Sequence, residues 1–186
     1  VENITMEKKP DPDLDHPMTN DRRWFSPPLY GLPNFSDIFS SRQLIALTTL
    51  SDLVQEARNQ ILSNSKNWKE DYRSLADGGS GLEAYADAIT TYLAFGLSRQ
   101  ANYSSSLTAW GGDFIVQTFG RQAIPMVWDY AEGNIFSDST GNWRGAIEWV
   151  AKCIEKSIPA NGEGYVIQLD ARNKNPLINS ASICTD

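Results

Sequence analysis

The sequence predicts a mainly α-helical chain with a small β component, the β part being the beginning of a larger α/β sheet. Three observations carry this. Apolar residues recur at helical spacing after Ser40, after Ser80 and after Thr140. Two short β-rich runs near the end, Tyr165–Leu169 and Ala181–Thr185, stop at Asp170 and Asp186. Such runs read as strands that deliver a carboxylate to the carboxyl edge of an open α/β sheet, where ligands bind. The chain also stops one residue after Thr185, inside the second run, where a terminus ordinarily trails off in polar residues or docks as a helix. The sequence therefore reads as a piece of a longer protein with three parts: an extended N-terminal arm over 1–35, a helical region over 36–160, and two strands of a truncated sheet over 161–186.

A chain of 186 residues with 41% hydrophobic and 21% charged content is long enough for one ordinary domain, burying roughly 70% of its unfolded surface. No apolar run approaches the roughly 20 residues of a membrane span, and the start carries neither a signal peptide nor an Arg-rich transit pattern, so a cytoplasmic protein is expected. Two cysteines, Cys153 and Cys184, lack metal-ligand spacing and read as small buried hydrophobes. A net charge of -7 opposes autonomous DNA binding, which needs clustered Lys and Arg.

Taken in order, residues 1–28 interleave Asp with Pro and have no hydrophobic period. His16 sits there as a solvated loop residue, and Trp24, Phe25, Leu29 and Tyr30 are expected to pin the arm to the body. Ser40 and Gln43 form a capping box, after which Leu47, Leu50, Leu53, Val54, Ala57 and Ile61 mark a helix to about Leu62. Arg42, in its first turn, has a guanidinium free to meet a phosphate or simply solvent. Ser65 to Gly79 reads as a flexible connector. Its glycines follow no strand and precede no Lys-Ser/Thr, so both phosphate-loop fingerprints fail.

A second capping box, Ser80 with Glu83, opens a helix striped by Leu82, Tyr85, Ala86, Ile89, Leu93, Gly96 and Leu97. Asp87 and Arg99 lie off that stripe and are expected in solvent. Asn102 to Ser106 either caps this helix or holds a ligand. Pro125 suits the first turn of a further helix, which puts Asp129 and Glu132 one turn apart on one face. Such a pair could bind a metal, act as acid and base, or hydrogen-bond a ribose; with no histidine beside it the metal reading weakens, and Arg121 could simply neutralise one member. Ser139 or Thr140 starts the last helix, with Trp143, Ile147, Val150, Ala151 and Ile154 facing inward until Lys156.

Several blocks of this chain resemble a known family. Leu29-Tyr30-Gly31-Leu32, Asp37-Ile38-Phe39, Arg42-Gln43-Leu44, Ala46 to Thr49, Ser51 to Val54, Tyr85 to Ala88, Tyr92 to Phe95, Asn102 to Leu107 and above all Phe119 to Glu132 look like the adenine-specific DNA methyltransferases with an internal zinc ribbon. Ile183-Cys184-Thr185-Asp186 is similar to the beginning of their Asp-Pro-Pro-Tyr motif. The resemblance implies a truncated piece of an α/β Rossmann-like methyltransferase, with S-adenosylmethionine as the parent's cofactor and DNA as its partner. Asp186 would orient the amine of a flipped adenine, Asp170 would contact the cofactor adenine, and Asp129 and Glu132 would join the cofactor site. Arg42, Arg121 and Asn102 are the candidates for DNA or substrate contact.

The family's glycine-rich cofactor loop and the Pro-Pro-Tyr after Asp186 are both absent, so the piece itself is expected to be inactive, to bind cofactor weakly or not at all, and to self-associate through unpaired strand edges. The competing reading is a non-catalytic helical module that docks a partner through exposed aromatics, among six Trp and seven Tyr.

Overall fold

Three helices and one minimal hairpin form the regular structure of the residues that a computed structural model describes, which are 15–19, 21–64, 68 and 70–157. The chain divides into two units, Val1–Glu155 and Lys156–Asp186, and the architecture below is that of the first. The expected parallel strands, with Asp170, Cys184 and Asp186, lie outside the described residues.

Helix α1 spans Ser41–Asn64. Its start is the reciprocal box expected from Ser40 and Gln43: the Ser40 amide donates to Gln43 Oε1 at 2.8 Å, and the Gln43 amide donates to Ser40 Oγ at 3.4 Å. Gln43, Leu50 and Val54 form its buried stripe, whereas Leu53, expected inward, is half exposed.

Helix α2 spans Leu82–Tyr103 and packs on α1. Its predicted cap is corrected by the connector before it. Ser80 gives both its amide and its hydroxyl to Asp71, so the cap position falls to Gly81, which has no side chain to offer. Glu83 turns to α1 instead and accepts from Arg58 Nη2 at 2.7 Å. Asp87, expected in solvent, accepts from the same guanidinium at 2.8 and 3.0 Å and from the Leu75 amide at 3.0 Å. Those two bonds, first the Leu75 amide and then Arg58, hold the Asp87 carboxyl below its ordinary pKa. The described end of the connector is thus clamped between both helices.

After α2 the chain forms strands β1 (Ala109–Trp110) and β2 (Ile115–Val116), an antiparallel hairpin with Trp110 opposite Ile115. Gly112, at φ +105°, supplies the left-handed residue of the turn. This hairpin, rather than a parallel pair, is the β component among the described residues.

The core beside the helices is built mainly from irregular segments. Met18, Ile38, Leu107 and Ile124 are buried together, with Phe25, Phe35, Phe39, Met126 and Val127 packed around them. The arm is ordered here, because the Met18 amide donates to the Pro33 carbonyl at 2.8 Å and the Phe35 amide to the His16 carbonyl at 2.9 Å. Phe25 reaches the core as expected, while Trp24, Leu29 and Tyr30 remain about half exposed.

No helix forms after Pro125, which corrects the sequence expectation. The segment is tied to other parts of the chain: Ile124 donates to the Trp24 carbonyl at 2.8 Å, Met126 to Ser26 Oγ at 2.7 Å, and Ala131, whose amide a helix from Pro125 would need, to the Thr108 carbonyl at 3.1 Å. Residues 120–142 therefore run as a non-helical segment with bends and turns, buried at Ile124 and Ala131.

Helix α3 spans Trp143–Lys156. Its cap is Asn142, whose Oδ1 accepts from the Gly145 amide at 2.6 Å, rather than Ser139 or Thr140. Trp143 and Ile147 pack at Gly96 of α2, where a Cβ would lie 2.3 Å from Ile147 Cδ1. A larger residue there would require the end of the Ile147 side chain to move. From Ala151 onward α3 is exposed, so Ala151, Ile154 and Cys153 do not take the inward places expected of them.

Candidate functional site

Of the residues singled out in the sequence, the structure joins Arg42 to Glu132. Ala131 is nearly fully buried and its backbone is fixed on both sides, its amide on the Thr108 carbonyl and its carbonyl accepting from the Thr108 hydroxyl. That anchor sets the next residue, Glu132, over the first turn of α1. Arg42 there donates Nε to Glu132 Oε1 at 2.6 Å and Nη2 to Oε2, a fork-to-fork pair. The hydrogen bond to Glu132 pushes the Arg42 guanidinium still further above its ordinary pKa. A cation in the first turn opposes the helix dipole, and the carboxylate offsets it.

The remaining candidates are held apart. Asp129 and Arg121 are exposed, and without the helix the spacing that paired Asp129 with Glu132 is gone. Arg42, not Arg121, neutralises Glu132. Asn102 works as a clamp: its Oδ1 accepts from the Phe119 amide at 2.7 Å, its Nδ2 donates to Gln117 Oε1 at 3.2 Å, and its carbonyl accepts from the Thr118 amide at 2.9 Å. The hydroxyls after it are also structural. Ser105 and Thr118 hydroxyls meet at 2.6 Å, and Ser106 donates its amide and its hydroxyl to the Ile38 carbonyl.

Beside this face Tyr30 and Trp128 meet edge to face, with centroids 5.0 Å apart, and both rings are largely exposed. The pair joins the segment around Tyr30 to the segment around Trp128 and leaves an exposed aromatic surface between them.

A second feature escaped the sequence reading. A polar cavity of about 250 Å³ lies between the end of α2 and the start of α3. Arg99, Gln100, Tyr103, Asp138, Thr140 and Asn142 are among its lining residues. Arg99, expected in solvent, instead lays its guanidinium over the Trp149 ring at 4.5 Å and the Tyr103 ring at 5.5 Å. Gln100 is 1% exposed and donates Nε2 to the Gly141 carbonyl at 2.7 Å and to Ser104 Oγ at 2.8 Å. Its Oε1 has no hydrogen-bond partner. The spacing Arg99–Tyr103, one helical turn, was the available signal; Asp138 and Trp149 come from distant sequence and had none.

The described residues do not by themselves compose a cofactor pocket at the expected positions, since Glu132 gives both carboxylate oxygens to Arg42 and Asp129 is exposed. Among the described residues no group of three His, Cys, Asp or Glu could hold a metal, and no helix is long and apolar enough to cross a membrane. Compared with known proteins, the chain matches no family model, no curated protein and no solved structure.

Proposed function

We propose that this chain is the inner, mainly helical portion of an S-adenosylmethionine-dependent DNA adenine-N6 methyltransferase, and that alone it transfers no methyl group. The observation that carries the reading is that segments resembling that family converge. Arg42 of one block grips Glu132 of another, Tyr30 meets Trp128, and Ser106 binds Ile38 through its carbonyl. Blocks far apart in sequence thus share one packed surface, as pieces of a single working unit do. In the reading, S-adenosylmethionine supplies the electrophilic methyl group, Asp170 contacts its adenine, and Asp186 orients the target amine; the parent enzyme supplies the rest of the pocket and most of the grip on DNA.

The test is transfer of isotope-labelled methyl from S-adenosylmethionine to adenine-containing DNA, run with this chain and with a longer chain that adds a glycine-rich loop before it and Pro-Pro-Tyr after Asp186. Transfer by the longer chain alone is the expected result. Transfer by neither sinks the reading, and turnover by the 186-residue chain overturns its inactivity. One observation favours a second reading, a non-catalytic interaction module: Trp128 is 73% exposed and stands edge to face with Tyr30, which is 52% exposed, so two large rings meet at the surface. Absence of transfer in both chains would move the assignment there.

A further inference from the structure

The cavity between α2 and α3 has no part in the reading above, and its chemistry is specific. Arg99 is the one cation among its lining residues, partly buried, with its guanidinium over two rings and without an ion-pair partner among the described residues. A guanidinium fixed in this way presents its donors to a carboxylate. The opposite character comes from the Asp138 carboxylate on the same lining.

The start of α3 does not add a second anion site. The Trp143 amide is bound by the Ile135 carbonyl, the Gly145 amide by Asn142 Oδ1 and the Ala146 amide by the Asn142 carbonyl. A phosphate would meet one cation and be opposed by Asp138. We propose that this cavity binds a small α-amino-acid zwitterion, its carboxylate on Arg99 and its ammonium toward Asp138.

Calorimetric or NMR titration of the full chain with L-serine tests this, with acetate and ethylamine as half-ligands and with Arg99→Met and Asp138→Asn as variants. Arg99→Met keeps the stem against the rings but loses the fork; Asp138 is exposed, so Asp138→Asn leaves the fold intact. Saturable serine binding is expected, at least about tenfold tighter than either half-ligand and weakened about fivefold or more in each folded variant. The proposal is overturned if serine does not saturate, if acetate binds equally well, or if Asp138→Asn binds serine like the unaltered chain.

Discussion

Arg42 and Glu132, 90 positions apart, form a two-bonded ion pair that ties the first turn of α1 to the extended segment after Pro125. Because Arg42 is 72% exposed by its side chain, the pair is open to screening. A double-mutant cycle with Arg42→Gln and Glu132→Gln, read by urea unfolding, should show favourable coupling at low salt. Near 1 M salt, where the screening length falls to about 3 Å, that coupling should vanish. Coupling that survives high salt would mean the pair is held by packing rather than by charge.

Gly81 inverts an ordinary rule. Serine outranks glycine at a helix N-cap, yet a Cβ on Gly81 would lie 2.1 Å from the Asp71 carbonyl oxygen, which is backbone and cannot turn aside. Gly81→Ser and Gly81→Ala should therefore both destabilise, by about 2 kcal/mol, as other overpacking substitutions do. Thermal unfolding decides it, and a stabilised Gly81→Ser would show that the connector yields.

How much of this was legible in the sequence divides by the range of the interactions. The Ser40–Gln43 box and the existence of three helices rest on neighbours three or four residues apart, and they appear as expected, whereas Leu53, Tyr85, Ala151 and Ile154, placed on the inward stripes by that spacing, are exposed. Ser80 failed as a cap because Asp71, nine residues back, took it. The segment after Pro125 failed as a helix because Thr108 claimed the Ala131 amide while Trp24 and Ser26 tied down Ile124 and Met126, and nothing local in Gly120 to Glu132 announces those partners. The Arg42–Glu132 contact joins two residues that the sequence had singled out separately and for other roles. Gln100 was invisible because it sits on an otherwise ordinary helix, and its cavity exists only once Asp138 to Asn142 folds over it.

Acid should loosen the clamp between α1, α2 and the connector. The Asp87 pKa is lowered in the folded chain, so its contribution is present above the unfolded value of about 3.9 and is lost as pH falls toward the folded value. At pH 7, Asp87→Asn should cost about 1 kcal/mol, a figure discounted for partial exposure. The gap from the unaltered chain should close as pH falls below about 4, as the native carboxylate itself protonates. Urea midpoints across that range measure it, and a gap constant with pH would assign the loss to shape rather than charge.

Thr108 connects the buried core to the ion pair. It is fully buried, and its hydroxyl donates to the Ala131 carbonyl and lies 3.1 Å from the Ser105 carbonyl, while its own carbonyl holds the Ala131 amide. Thr108→Val keeps the shape and removes the hydroxyl, leaving buried carbonyls short of a donor at a cost of about 1–3 kcal/mol. Ala131 would then be fixed by one bond instead of two, and Glu132, the next residue, would lose its set position over α1. The coupling of Arg42 with Glu132 should accordingly shrink in a Thr108→Val background. If stability falls but the coupling stays whole, the Ala131 amide alone positions Glu132, and the hydroxyl serves only the core.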